Sequence, residues 1–352
     1  MSIRFTRRIL AAVRFTPLCD RVLAFGFYRR ALLMQYTTLG RTGLKVSVAG
    51  LGSGGFSRLG LGSGQSTAHA IGIVRLALDL GVTLIDTAAA YGTEDVVGAA
   101  LQNVPRDSVV VCTKASTAAG DPGFRVEKVI DSLDASLRRL RLDHVDVFQL
   151  HAVPPAAYRH VREVIAPALL KQRDKGKFRF LGITETAPND PEQVMLNTAA
   201  QDDCWDTAMV AFHLMDQVAR TQVFPHTLAN RIGTLMMFAV RSIFARPAQL
   251  AATMKDLAAS GQVPPWLAES DDPLGFLVYP DGASSVTDAA YRYVRHEPGV
   301  DVVLFGTGDA AHLRSNIDSI LKPPLPDADR RKLQDLFSHL RGVGLEAPPA
   351  HR

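Results

Sequence analysis

Four side chains with acid–base chemistry follow short apolar runs in the first half of the chain. Asp86 comes after Leu84 and Ile85, with Tyr91 five residues on; Lys114 ends the run from Val109; His151 ends the run from Val145. A carboxylate, a phenol, an ammonium and an imidazole are groups that move protons or hold charge beside a reacting atom. Singly, each has an ordinary explanation. Asp86 and Lys114 suit solvated strand ends, Tyr91 a turn aromatic ahead of Gly92, and His151 a hydrogen-bonded histidine. A carboxylate is costly to bury unless it finds a cation or donors, so Asp86 needs a partner from elsewhere in the chain. Convergence of Asp86, Lys114 and His151 from three consecutive strand ends is an improbable coincidence.

The elements that must position these groups alternate. The apolar runs 46–52, 82–86, 109–114, 145–151, 178–184, 208–212, 234–240 and 300–305 read as strands. Helical periodicity fills the gaps at 67–80, 94–101, 126–140, 161–175, 191–200 and 218–230, within 247–260 and 285–296, and at 312–321 and 327–340. Continuous rather than alternating apolar strands indicate a parallel sheet covered on both sides. The pattern predicts an α/β fold, a (β/α)8 TIM barrel in a single domain, with a doubly wound open sheet as the alternative. The glycine-rich loop at 53–64 contains no ordered G-x-G-x-x-G between a strand and a helix, so no Rossmann fingerprint is read there.

The chain resembles the aldo-keto reductase superfamily. The residues that carry the resemblance are the D-T-A-x-x-Y-G segment at 84–92, the E-x-x-x-G continuation from Glu94 to Gly98, Thr113-Lys114, and V-D-x-x-x-L-H at 145–151. Gly176-Lys177-Phe178-Arg179-Phe180-Leu181-Gly182 and the opening stretch from Tyr36 to Ser47 also match, and the resemblance spans about residues 35–325. It implies a catalytic tetrad of Asp86, Tyr91, Lys114 and His151. It also implies a nicotinamide dinucleotide, NADP with NAD as the alternative, and a small aldehyde, ketone or sugar as substrate. Carbonyl reduction adds hydride to carbon while negative charge grows on oxygen, so a proton donor and an electropositive pocket are both required. In those roles Tyr91 donates the proton, Lys114 lowers its pKa, Asp86 holds Lys114, and His151 orients the carbonyl oxygen.

The resemblance thins at the cofactor. Family members carry Ser-Asn after strand five and Gln on strand six; here these positions read Thr184-Glu185 and Met209. Glu185 can accept from a carboxamide, whereas Met209 offers no comparable bond. Phe238 stands where a tyrosine more often stacks on the nicotinamide. Gly306, Thr307 and Gly308 open the last βα helix, whose backbone N–H groups suit a phosphate, and Asn316 matches the family's helix asparagine near the adenosine. The basic residue that reads the NADP 2′-phosphate is absent, leaving His312 and Arg314 as substitutes. Phe56 and Trp205 are candidate pocket aromatics, either equally suited to the core, and for Trp205 the core is the favoured reading.

Composition narrows the rest. The chain has 352 residues, of which 47% are apolar and 21% charged, a balance with ample core material. The net charge of +4 is concentrated in residues 1–33, which hold seven arginines and one acid; the remainder carries 32 basic and 34 acidic residues. No basic stripe interleaves with aromatics, so no nucleic-acid partner is expected. No apolar run is long enough to span a membrane, and no metal site is expected. Three scattered cysteines (19, 112 and 204) indicate a reducing compartment, the cytoplasm. Residues 1–33 read as a basic extension outside the fold, either a transit segment or sequence upstream of a start at Met34, and residues 34–345 as the barrel. Two rival functions remain. One is a cofactor-binding regulatory subunit with little turnover. The other is a barrel lyase or isomerase using Lys114 as a Schiff-base amine.

Overall fold

The computed structural model describes residues 33–116 and 125–345. The expectations for residues 1–32 and for the tail 346–352 lie outside the described residues. Among the described residues ten strands form: β1 Tyr36–Thr38, β2 Lys45–Ser47, β3 Ala49–Gly52, β4 Leu84–Asp86, β5 Val110–Ser116, β6 Val145–His151, β7 Phe178–Thr184, β8 Thr207–Ala211, β9 Gly233–Met237 and β10 Val302–Phe305. Strands β3 to β10 are parallel to their neighbours and close into an eight-stranded barrel, β10 pairing back onto β3. This is the expected (β/α)8 architecture. The main helices are α1 Thr67–Asp79, α2 Glu94–Ala100, α3 Val126–Leu140, α4 Ala166–Asp174, α5 Val194–Ala199, α6 Pro247–Ala259, α7 Val286–Arg295, α8 Ala310–Leu321 and α9 Asp327–Phe337.

Two apolar layers make the core, and strand parity separates them. Inward residues Leu84, Val110, Cys112, Val147, Met209, Leu235 and Val302 fill the lower barrel. The antiparallel hairpin β1–β2 lies below, and Leu39, Leu44 and Val46 plug the floor. Outward residues such as Val111, Phe148, Leu150, Ile183, Val210 and Val303 pack against the buried faces of the helices, for example Val129, Leu133 and Leu140 of α3.

Several element boundaries differ from the sequence expectation, among them the following four. The first strand is split between hairpin β2 and barrel strand β3. The seventh stops at Met237 because Phe238 adopts a left-handed φ of 70°. The helix expected over 218–230 is two short pieces, Ala219–Gln222 and Phe224–Ala229, with Pro225 in the first turn of the second, where a missing N–H is harmless. A π-turn at Val161–Ile165 precedes α4, where Pro167 can supply no backbone donor.

Candidate active site

The same parity that buries Val110 and Cys112 turns Lys114 inward at the top of β5, and it turns Asp86 above Leu84 on β4. His151 ends the inward row of β6. Lys114 Nζ donates to Asp86 Oδ1 and Oδ2, both at 2.7 Å, and to the Thr87 carbonyl at 2.9 Å, so its three protons are engaged. Both side chains are buried. Burial pushes the Asp86 carboxyl up against the pull of Lys114. Burial is the largest single influence and lowers the Lys114 ammonium, but the Asp86 charge and hydrogen bonds together with the Tyr91 and Cys112 charges outweigh it and the net direction is upward.

Tyr91 sits on a short turn, Ala89–Tyr91, that ends at Gly92 with φ 65°. Its hydroxyl lies 3.5 Å from His151 Nε2, wider than an ordinary hydrogen bond, and the two rings meet edge to face at 5.5 Å. Lys114 Nζ is 5.0 Å from the centre of the Tyr91 ring. The expectation that Lys114 lowers the phenol is met only in part. Lys114 does pull downward, but burial dominates and leaves the Tyr91 pKa above its ordinary value. His151 is pushed down to about 3, by burial first and by the Lys114 charge second, so its imidazole is neutral.

Sequence reasoning missed what holds Tyr91. A Cβ on Gly54 would lie 2.5–2.7 Å from three atoms of the Tyr91 ring, so the ring rests flat on the Gly54 backbone. The hydroxyls of Ser53, Thr93 and Thr87 form a buried chain, 2.9 Å and 3.1 Å long at its two links, that fastens the turn to the ends of β3 and β4. The Gly54-Gly55 pair after β3 was the available signal.

The expected cofactor residues lie along the same rim of strand ends. Thr184 is buried and its Oγ1 accepts from Ala152 N at 2.7 Å. Glu185 is buried; Oε1 accepts from Ala211 N at 2.5 Å and from Gln193 Nε2 at 3.3 Å, while Oε2 has no partner among the described residues. Burial pushes the Glu185 carboxyl well up. Met209 points into the apolar interior, and Trp205 is core, its indole N–H donating to the Tyr158 hydroxyl at 3.0 Å. Phe238 packs with Leu345, Ala187 and Ala211, and the Arg241 guanidinium covers its ring at 4.0 Å. At the end of β10, Gly308 lies so close to the Gly60 backbone that no Cβ would fit. Thr307 Oγ1 accepts from Asp309 N, and Asp309 caps α8 by accepting from His312 N at 2.8 Å. The His312 side chain is exposed and Asn316 is half-buried.

These residues fit a nicotinamide dinucleotide at two points. The buried, unpartnered Glu185 oxygen can meet a carboxamide, and the exposed Gly306 leaves room for a ligand at the end of β10. They do not suit a second phosphate beside α8, because the exposed Asp309 carboxylate occupies that helix end.

A family model described as the aldo/keto reductase family matches residues 50–337. Over 336 residues the chain is 26% identical to the aldo-keto reductase YhdN of Bacillus subtilis, covering 90% of this chain and 98% of that protein. It is 37% identical to the L-galactose dehydrogenase of Arabidopsis thaliana over 157 residues, which span 43% of this chain and about half (48%) of that protein. Among solved structures, the holo form of aldo-keto reductase AKR11C1 from Bacillus halodurans superposes with a TM-score of 0.62 at 20% identity, covering 86% of this chain and 96% of that one, a likeness of fold. The chain belongs to the aldo/keto reductase family, a family of oxidoreductases.

Proposed function

We propose that this aldo/keto reductase transfers hydride between a nicotinamide dinucleotide and the carbonyl or alcohol carbon of a small aldehyde, ketone or sugar. The observation that carries the reading is the Tyr91 phenol set between a neutral His151 and the Lys114–Asp86 pair. The dinucleotide supplies the hydride when bound. Neutral His151 can donate a hydrogen bond to the carbonyl oxygen without competing as a stronger acid. Tyr91 gives its proton to that oxygen as charge develops, and recovers it afterwards from solvent. The Lys114 charge beneath the ring stabilises the phenolate left behind, and Asp86 keeps that ammonium in place. Thr184, Glu185, Phe238, the Gly306–Gly308 turn, His312 and Asn316 would hold the dinucleotide.

The resemblance favours NADP. Asp309 opposes it, since a carboxylate at the start of α8 repels a 2′-phosphate. NADH is therefore expected to support at least the rate given by NADPH, and Asp309→Ser to shift the ratio of the two kcat/KM values toward NADPH. The free cysteines Cys112 and Cys204 are consistent with a reducing compartment, the cytoplasm.

The test is oxidation of NADPH and NADH over a panel of aldehydes, ketones and sugars, for the wild type and for Tyr91→Phe. The mutant is expected to lose at least about a hundredfold in kcat while still binding the dinucleotide. Turnover surviving intact in the mutant would overturn Tyr91 as the acid. Tight dinucleotide binding with no turnover in either protein would favour the regulatory-subunit reading. The Schiff-base reading is opposed by Lys114 itself, whose three protons are all engaged and whose pKa is raised rather than lowered.

A further inference from the structure

The loop between β3 and α1 carries an arginine that the tetrad does not use. Arg58 and Leu59 are consecutive non-glycine residues in the left-handed region, with φ 43° and 61°, followed by Gly60 at 98°. Such backbone is unfavourable for L side chains and persists where the surroundings enforce it. Here they do: Leu59 is fully buried, and the Gly60 backbone is wedged against Gly308. Gly60 N and Gly62 N both donate to the Ser57 carbonyl, at 2.7 Å and 3.0 Å. Arg58 is thus presented by a tight turn rather than by a loose tip.

Its guanidinium points toward the β4 side of the rim. Nη2 lies 2.8 Å from where a Cβ on Gly92 would stand, so it occupies space that only glycine leaves open, one residue from Tyr91. Arg58 is exposed and makes no ion pair among the described residues. Of the acids in this region, Asp86 is committed to Lys114 and Glu94 to Arg139 and Thr113, while Asp95, three residues beyond Gly92, is exposed and makes no ion pair with Arg58 among the described residues. Lys114 is buried and paired with Asp86 and His151 is neutral, whereas Arg58 is an exposed cation beside the turn that carries Tyr91. The same loop exposes Phe56 at 56%, an apolar neighbour for a substrate's carbon skeleton.

We propose that Arg58 reads an anionic group, carboxylate or phosphate, carried by the carbonyl substrate. The inference rests on the reading of Tyr91 as the proton donor, which fixes where the carbonyl sits. Leu59 and Gly60 meet the Gly308 side of the loop and Arg58 the Gly92 side, which places the guanidinium nearer the reacting carbonyl than the dinucleotide-binding turn. A guanidinium fork holds such oxygens by paired charge-assisted hydrogen bonds, which a lysine cannot reproduce.

The test compares kcat/KM for matched substrates: succinic semialdehyde against butanal, and glyceraldehyde 3-phosphate against glyceraldehyde. The wild type is expected to prefer at least one anionic member by about tenfold or more. Arg58→Met should bring that ratio near one, with Arg58→Lys between. The pair that responds identifies carboxylate or phosphate. Absence of any anionic preference in the wild type, or its persistence in Arg58→Met, overturns the proposal. So does a loss of NADH or NADPH affinity in Arg58→Met with the preference intact, which would assign Arg58 to the dinucleotide. Should no aldehyde be turned over, hydride transfer fails as the function. Calorimetric titration with succinate and with inorganic phosphate then decides the Arg58 proposal. Binding of either by the wild type that weakens about tenfold or more in Arg58→Met supports it, and equal or absent binding overturns it.

Discussion

At the scale of single residues, the site depends as much on a missing methyl group as on its titrating groups. Gly54→Ala would push a Cβ into the Tyr91 ring, so the phenol must shift away from His151 and Lys114. A displacement near 1 Å is enough to cost about a hundredfold in rate. The expected outcome is therefore a drop of that order in kcat, with the thermal midpoint little changed; circular dichroism beside steady-state kinetics checks both. Protonation gives a second expectation. In the proposed role of acid in reduction, Tyr91 must hold its proton, and burial raises its pKa above the ordinary value of about 10. His151, pushed down to about 3, stays neutral through the same range. Reduction should be independent of pH from about 5 to 9 and fall only as pH rises through the phenol's raised pKa. The reverse reaction, which needs the phenolate, should gain with pH. An inflection near 6.5 in the pH profile of kcat/KM would mean that His151 carries charge after all. Asp86, Lys114 and His151 were legible in the sequence as polar residues closing apolar runs, and Tyr91, which stands on a turn, through the D-T-A-x-x-Y-G resemblance. Gly54 and Arg58 were not, because their significance lies in what their backbone touches, and that partner comes from another loop.

At the scale of elements, the E-x-x-x-G segment after Tyr91 turns out to join helices. Glu94, in the first turn of α2, accepts from Thr113 on β5 at 2.5 Å and pairs with Arg139 of α3 at 2.6 Å. One turn later, Gly98 lets α2 approach the last carbonyls of α3, where a Cβ would stand 2.5 Å from the Leu140 oxygen. The carboxylate therefore ties two helices to the back of the strand that carries Lys114. Glu94→Ala leaves the Thr113 hydroxyl without its acceptor, while the partly exposed Arg139 can turn to water. A loss of about 1–3 kcal/mol is expected, read from urea unfolding, with Glu94→Gln losing less because one acceptor remains. Elements also show where sequence patterns reach their limit. The runs marking β6 and β7 match the observed boundaries, and the run marking β5 stops two residues short of Ser116. By contrast, the end of β9 is set by a left-handed Phe238 packed beneath Leu345, a contact from the far end of the chain that no local pattern encodes.

At the scale of the whole molecule, the barrel divides its labour between a plugged floor and a working rim. Leu39 belongs to the plug and lies at the opposite end of the strands from Tyr91. Leu39→Ala should cost about 2–5 kcal/mol in chemical unfolding, while kcat per folded molecule is unchanged, because the rim contacts do not involve it. The floor also holds Cys112, fully buried directly below Lys114 in the inward row of β5, its thiol raised well above the ordinary range by burial. A sulfur in that position is chemically silent while the strands stay closed. It becomes an ordinary nucleophile once they part. The rate at which Cys112 takes up a thiol reagent in native buffer therefore measures how often the barrel opens, an internal clock that needs no introduced residue and that bound dinucleotide should slow.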